Sequence, residues 1–303
     1  MDRGELTAMP RLFCFGLGYS AQALAEGLLG QGWQVGGTVR RGGKATLTDS
    51  RIATLAFDGT APSEAVRAAL SEASHILVSV PPEEAGCPVL SCHGADIAAE
   101  ARHLKWIGYL STIGVYGDHG GAWVDEETKP EPVTARGRRR IEAERAWTEL
   151  GAQTGIPLAI FRLAGIYGPG RSSLDRLKRG EARRIIKPGQ VFNRIHVGDI
   201  AAVLSASIAN PPALPRIYNV CDDEPAPPQD VIIFAARLLS LAPPPEEPLA
   251  TADLSPMAKS FYAENKRCRN ARIKRELGVR LKYRNYRDGL TALFDGGDEG
   301  ENE

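Results

Sequence analysis

The stretch LFCFGLGYSAQALA, residues 12–25, joins an apolar run to a second apolar pattern of different period. RLFCF (11–15) is short, aromatic and continuously hydrophobic, which predicts a buried β-strand. Ala21, Leu24, Ala25, Leu28 and Leu29 then recur at helical spacing, with Gly32 as the expected stop. Between the two stands Gly16-x-Gly18-x-x-Ala21. Gly16 permits a tight turn, Gly18 lets the backbone approach a pyrophosphate, and the small Ala21 lets the helix pack close to the sheet. The helix N-terminus adds its positive dipole and free N–H groups. The context predicts dinucleotide binding. The alternative is a glycine turn that holds no ligand.

Outward from this loop, strand-like runs alternate with amphipathic helices. WQVGGTV (33–39), IATLAF (52–57), HILVSV (75–80), WIGYLS (106–111) and PLAIFRL (157–163) read as strands. Helices are expected around 62–72, 94–104 and 138–150. That rhythm predicts an α/β fold, a doubly wound parallel sheet with helices on both faces. Beyond about residue 170 it breaks up. KRGEARRIIKPGQ, EPAPPQD and APPPEEP mark loops or boundaries. The final DGGDEGENE (295–303) reads as a solvated, disordered tail, as does 1–9 at the other end.

The second strand closes on GGTVRRGGK (36–44), with Arg40, Arg41 and Lys44 and no carboxylate. An acidic residue there would favour the ribose hydroxyls of NAD, whereas arginine grips a 2′-phosphate bidentately. The expected cofactor is therefore NADP(H), with NAD as the alternative. A solvent-exposed basic turn would read the same way. Asp58, closing the third strand, is a candidate for the adenine edge or a cap for the following turn.

Composition narrows the partners. The 303 residues carry a formal net charge of zero, so no global field favours nucleic acid or anionic lipid. No apolar run approaches membrane-spanning length, and MDRGELTAMPR lacks a secretory apolar core, so a cytoplasmic protein is expected. CPVLSCH (87–93) brings Cys87, Cys92 and His93 together without a second close ligand pair, and no metal site is expected. The basic segment Lys266–Arg287 is interleaved with Leu277, Val279, Leu281 and Tyr283 like an ordinary structured element, and nucleic-acid binding is not expected of it.

Three further segments, YLSTIGVYG (109–117), FRLAGIYGPG (161–170) and RIHVGDIA (194–201), resemble motifs of the extended short-chain dehydrogenase/reductase family, the NAD-dependent epimerases and dehydratases. IYNVCDDEP (217–225) and RIKRELGV (272–279) resemble that family's C-terminal pieces. The likeness covers nearly the whole chain in order. It implies a Rossmann domain over 10–170, with 191–222 returning to it. A small α/β substrate domain would come from 171–190 and 223–292. The resemblance implies a cofactor set of Gly16, Gly18, Tyr19, Ser20, Ala21, Arg40, Arg41, Asp58, Ser79, Pro81 and Arg140.

Thr112 falls where the family places the hydroxyl that bonds the substrate oxygen. The family's Tyr-x-x-x-Lys is missing. With Glu144 aligned to the glutamate four residues beyond the lysine, Arg140 stands at the lysine and Arg136 at the tyrosine, inside TARGRRRIEAERAW (134–147). No tyrosine occurs between Tyr116 and Tyr167. Arginine, with a pKa above about 12, exchanges no proton here. Arg140 keeps the positive charge for the nicotinamide ribose, and Arg136 can hold an anionic substrate or stabilise an oxyanion. These departures, with FGLGYSA and the Pro-Pro after the fourth strand, resemble the family's atypical branch.

Residues 136, 140, 143, 147 and 150 share one helical stripe, and Ala143, Trp147 and Leu150 predict that it faces inward, while Arg138 and Arg145 face solvent. Tyr116, Tyr167, Asn193 and Arg194 are the other expected substrate contacts, and His196 reads as structural. Two functions follow. One is an NAD(P)-dependent oxidoreductase, or an epimerase or dehydratase, acting on a small polar carbonyl, alcohol or sugar-derived substrate. The other is a catalytically weak NADP(H)-binding sensor or partner protein. A homodimer is left open.

Overall fold

The structure, a computed structural model, describes residues 9–40 and 49–298. Arg41, Lys44 and the expected tails at 1–8 and 299–303 lie outside the described residues. Five strands open the fold: β1 (Arg11–Phe15), β2 (Gln34–Val39), β3 (Ala53–Ala56), β4 (His75–Val78) and β5 (Trp106–Thr112). With the strands Leu158–Leu163 and Arg216–Val220 they form one seven-stranded sheet. Its order is Arg216–Val220, Leu158–Leu163, β5, β4, β1, β2, β3. β1 pairs with β2 and β4, β2 with β3, and β4 with β5, all in parallel. The chain thus runs outward from β1 to β3 and returns to the other side of β1 for β4. This reversal puts the ends of β1 and β4 at a topological switch point, where open α/β sheets bind ligands.

β1 is apolar on both sides because it lies mid-sheet under two helical layers, and Leu12, Cys14 and Phe15 are wholly buried. Helix α1 (Tyr19–Leu29) buries Ala21, Leu24, Ala25 and Leu28 and stops at Gly30 rather than at Gly32, which takes φ +82° in the turn beyond. Helix α2 spans Glu64–Glu72, capped by the Ser63 hydroxyl. Helix α3 (Pro88–Ala99) begins six residues before the expected start. Pro88 occupies its first turn, where a missing N–H forfeits nothing. Helix α4 (Ala135–Thr154) extends past the expected 138–150 at both ends.

The chain divides into two compact units, 1–111 with 142–160 and 204–216, and 112–141 with 161–203 and 217–303. The limits of the units fall at the end of β5 and within the strand Leu158–Leu163. The second unit holds short parallel pairs, Gly165–Tyr167 with Arg194–His196, Arg184–Ile186 with Glu246–Pro248, and Trp123–Val124 with Arg267–Cys268. Its helical core joins Leu174, Val231, Ala235, Tyr286 and Leu290. The helix Tyr286–Asp298 carries ordered structure past residue 295, where a disordered tail was expected.

Candidate functional site

In the first unit, Gly16 takes φ +87°, a conformation that favours glycine. A Cβ there would stand 2.7 Å from the Ser79 hydroxyl oxygen and 3.1 Å from Val80 Cγ2. Ser79 donates its hydroxyl to the Gly16 carbonyl at 2.6 Å. On the other side, the Gly16 N–H donates to Thr38 Oγ1 at 2.9 Å, and Leu17 N–H to the Thr38 carbonyl at 2.9 Å. The loop is therefore clamped between the ends of β2 and β4. Thr38 and Ser79 are its two pins. Ser79 was expected beside the cofactor. Thr38 was not, because a lone threonine inside a strand carries no signal of its own.

Gly18 caps α1 in extended backbone without a side-chain hydrogen bond, and the first turn holds no acidic residue. A Cβ on Gly18 would meet nothing within 4 Å, so the loop presents open backbone there. Ala21, in the first turn of α1, is wholly buried. Open backbone at Gly18 and an uncapped helix start fit a pyrophosphate. Gly37 serves the same region: a Cβ would lie 2.4 Å from the Cys14 carbonyl, so only glycine lets β2 lie against β1 here. Arg40 is exposed at the end of β2, and Pro81 is exposed beyond β4. Asp58 accepts the Thr60 N–H at 3.0 Å and the Thr60 hydroxyl at 2.7 Å, which makes it a cap for its own turn.

Cys87 caps α3, and Cys92 donates its thiol to the Gly59 carbonyl. His93, wholly buried, pairs its Nδ1 with Asp96 at 2.8 Å while its Nε2 faces the Ser63 N–H at 3.3 Å. Its ring lies against Phe15 and Phe57. Among the described residues no cluster of His, Cys, Asp and Glu has metal-binding form.

Helix α4 settles the arginine cluster. Its buried positions are Gly137, Ala143, Glu144, Trp147 and Gly151, with Arg140 half-buried, so the inward face runs 137, 140, 144, 147, 151. This is a correction: Arg136 flanks that face and is exposed, its guanidinium 5.3 Å from the centre of the Phe261 ring. Gly137 holds the inward place at the first turn, where a Cβ would stand 2.8 Å from Pro132 Cβ. Arg138 and Arg145 are exposed, as expected. Glu144 is buried and accepts the Ser111 hydroxyl at 2.5 Å, a pair linking α4 to β5.

In the second unit, Thr112 caps the single helical turn Ile113–Tyr116, its Oγ1 accepting the Gly114 N–H at 3.1 Å. The hydroxyl proton is left to donate. Tyr116 packs inside the fold. It is wholly buried, donates to Asn219 Oδ1 at 2.7 Å and lies under the Arg162 guanidinium. Burial raises its phenol well above the ordinary tyrosine value.

Tyr167 is likewise buried, edge-on to His196, and Gly289 leaves the space it fills. Asn193 has both ends of its amide bound to backbone, donating to the Lys266 carbonyl at 3.0 Å and accepting the Cys268 N–H at 2.8 Å. That staples the strand Arg194–His196 to Arg267–Cys268. Tyr167 and Asn193, like Tyr116, have their polar atoms bonded within the fold.

Arg194 donates to the Phe192 and Ala226 carbonyls at 2.9 and 3.1 Å, and burial lowers its guanidinium below the ordinary value. Beside it Asp222 is buried, its Oδ2 without a hydrogen-bond partner among the described residues. Its carboxyl is pushed up to about 8, chiefly by burial. His196 accepts the Gly198 N–H at its Nδ1, and burial first, then Lys282, lowers it to about 4. The basic C-terminal run is largely neutralised. Arg272 pairs with Glu126 and Glu127, Lys274 and Arg284 with Asp223, and Arg287 with Glu224.

A parallel sheet reversing beside β1, with a pinned glycine loop at that point, defines a Rossmann-type dinucleotide-binding protein. The chain belongs to the NAD dependent epimerase/dehydratase family, whose model matches residues 16–221. No curated protein matches it.

Among solved structures it is similar to a conserved protein of unknown function from Silicibacter pomeroyi DSS, with 51% identity and a TM-score of 0.86 over 96% of this chain and 100% of that one. The fold is shared with the dTDP-glucose 4,6-dehydratase of Bacillus anthracis in complex with NAD, at 16% identity and TM-score 0.75 over 97% and 98% of the two chains. It is shared also with the UDP-glucuronic acid 4-epimerase of Bacillus cereus in complex with NAD, at 15% and 0.73 over 95% and 99%. No described helix is long and apolar enough to cross a membrane.

Proposed function

We propose that the chain is an NADP(H)-preferring member of the family's atypical branch, an oxidoreductase or epimerase/dehydratase-like enzyme for a small polar carbonyl, alcohol or sugar-derived substrate. The observation that carries this reading is the glycine loop: Gly16 at positive φ against Ser79, with open backbone at Gly18 and an uncapped helix behind it. Gly16, Gly18, Tyr19, Ser20 and Ala21 would hold the pyrophosphate. Arg40 and Arg41 would hold a 2′-phosphate, and Ser79, Pro81 and Asp58 would border the dinucleotide. Arg140 would hold the ribose. A bound nicotinamide supplies or accepts hydride.

Around that chemistry the chain's own groups have separate tasks. The Thr112 hydroxyl, whose oxygen already takes the Gly114 N–H, donates to the substrate oxygen and orients it. Arg136 supplies positive charge near an oxyanion without exchanging a proton. The segments 171–190 and 223–292 would bind the substrate. Titration of intrinsic fluorescence with NADPH and NADH tests the reading. We expect both to bind, NADPH more tightly, and failure of both would overturn it.

One observation favours a second reading, an NADP(H)-binding protein with little turnover. Arginine holds the family's tyrosine position, and Tyr116 and Tyr167 are sealed in the fold. Steady turnover of any member of a carbonyl panel, abolished by Thr112→Ala, would reject it.

A further inference from the structure

Thr38 is buried in β2, and it meets the glycine loop twice. Its Oγ1 accepts the Gly16 N–H at 2.9 Å, and its carbonyl accepts the Leu17 N–H at 2.9 Å. Any residue supplies a carbonyl. Only a side chain with an acceptor at that point takes the Gly16 N–H. Valine has the same branched shape and would fill the same place in the strand. A buried hydroxyl is unfavourable unless it is bonded, so the bond to Gly16 is what the threonine adds over valine.

β2 is itself held firmly on both sides. Gly37 pairs with Cys14 of β1 and with Thr54 of β3, and Thr38 pairs with Leu55. The Val39 carbonyl takes the Phe57 N–H at 3.0 Å. A Cβ on Gly37 would overlap the Cys14 carbonyl and stand 3.0 Å from Leu17 Cγ, so the strand lies hard against the loop. Arg40 follows Thr38 by two residues, about 7 Å further along an extended chain.

In NADPH the 2′-phosphate and the pyrophosphate hang from one ribose, so the ligand fixes their separation. A protein that holds both at once must present its phosphate loop and its 2′-phosphate arginine in matching register. A bidentate guanidinium grip is demanding in geometry, and a register set before binding leaves less freedom to lose. NADH carries the pyrophosphate alone and can follow a shifted loop.

We propose that Thr38 is a positioning residue for cofactor selection: its hydroxyl holds the glycine loop in register with Arg40, so that one dinucleotide meets both. The inference rests on the NADP(H) reading and adds to it a residue that acts through the loop rather than on a phosphate. The carbonyl bond from Leu17 and the Ser79 pin remain when the hydroxyl is removed, so the loop stays formed and only its register relaxes.

The test is titration of the full-length chain with NADPH and NADH, comparing Thr38→Val, Thr38→Ser and Arg40→Ala. Thr38→Val should weaken NADPH about fivefold, the size of one hydrogen bond, and NADH less than about twofold. Thr38→Ser should restore the wild-type ratio of the two dissociation constants. In an Arg40→Ala background Thr38→Val should no longer change that ratio, because coupled residues are not additive. If Thr38→Val fails to give a native circular dichroism spectrum, Thr38→Ala replaces it.

Equal weakening of both dinucleotides would show a merely structural hydroxyl and overturn the proposal. So would an unchanged ratio, additive effects with Arg40→Ala, or failure of Thr38→Ser to restore the ratio. A ratio that responds to Arg40→Ala but not to Thr38→Val overturns this proposal alone. Wild-type chain that binds neither dinucleotide, or whose ratio ignores Arg40→Ala, overturns the NADP(H) reading and the proposal with it.

Discussion

Ser79 donates its hydroxyl to the Gly16 carbonyl at 2.6 Å, and its oxygen stands 2.7 Å from where a Cβ on residue 16 would lie. Gly16→Ala therefore meets both an unfavourable φ and a clash. We expect a stability loss of about 1–3 kcal/mol, since strained backbone costs about that much, together with loss of NADPH binding. Urea denaturation and a fluorescence titration measure the two. Binding of unchanged affinity would remove the loop from the cofactor site.

Arg40 is exposed at the end of β2, and the proposed preference for a 2′-phosphate rests on it. Arg40→Ala should weaken NADPH by about tenfold, or about 1.4 kcal/mol, and leave NADH nearly unchanged. The ratio of the two dissociation constants is the readout.

The cap that Thr112 makes and the substrate contact proposed for it can be separated by substitution. Thr112→Ser should keep both the Gly114 contact and the donated proton. Thr112→Ala should abolish turnover while NADPH still binds, with about 1 kcal/mol lost from the missing cap. Full activity in the alanine variant would take the hydroxyl out of the mechanism.

Ser111 and Glu144 form a buried pair at 2.5 Å. Ser111→Ala removes a donor from a buried carboxylate, and a loss of about 1–3 kcal/mol is expected in chemical denaturation. Ser71→Ala, on an exposed serine of α2, serves as the control and should change little.

Stability against pH should report Asp222. Its carboxyl, at about 8 in the fold against 3.8 in the open chain, stays protonated in the native state well above the point where the unfolded chain ionises. The native state then binds the extra proton, so this contribution is fully present below about 4 and is lost as pH rises toward 8. His75 and His196, both lowered to about 4, act with opposite sign. Their contribution is present above 6.5 and is lost as pH falls below it. Between pH 6.5 and 8 Asp222 therefore acts against a background free of both histidines. The melting temperature of the wild type should fall there relative to Asp222→Asn, and parallel curves would refute the assignment.

Much of the first unit was legible in the residue order. RLFCF matches β1 to the residue, and the strand expected at 75–80 begins where β4 does. These features depend on neighbours a few residues away, through the period of apolar side chains and the sterics of glycine. The start of α3 was missed because Pro88 reads as a breaker unless it is known to stand in a first turn. The inward stripe of α4 was placed about one residue off, since Ala143 and Trp147 fit either register and Gly137, with no side chain, gives no apolar signal.

The residue order by itself determined the sheet-forming rhythm, the glycine loop, the missing tyrosine and the basic end of β2. Tertiary structure alone decided what the polar side chains face. Tyr116 finds Asn219 across 103 positions, and Asn193 finds Lys266 and Cys268 across 73 and 75. Arg136 meets Phe261. Pairings at such separations leave no period in the chain, because they arise only when folding brings distant backbone segments together and burial forces each polar group to find a partner.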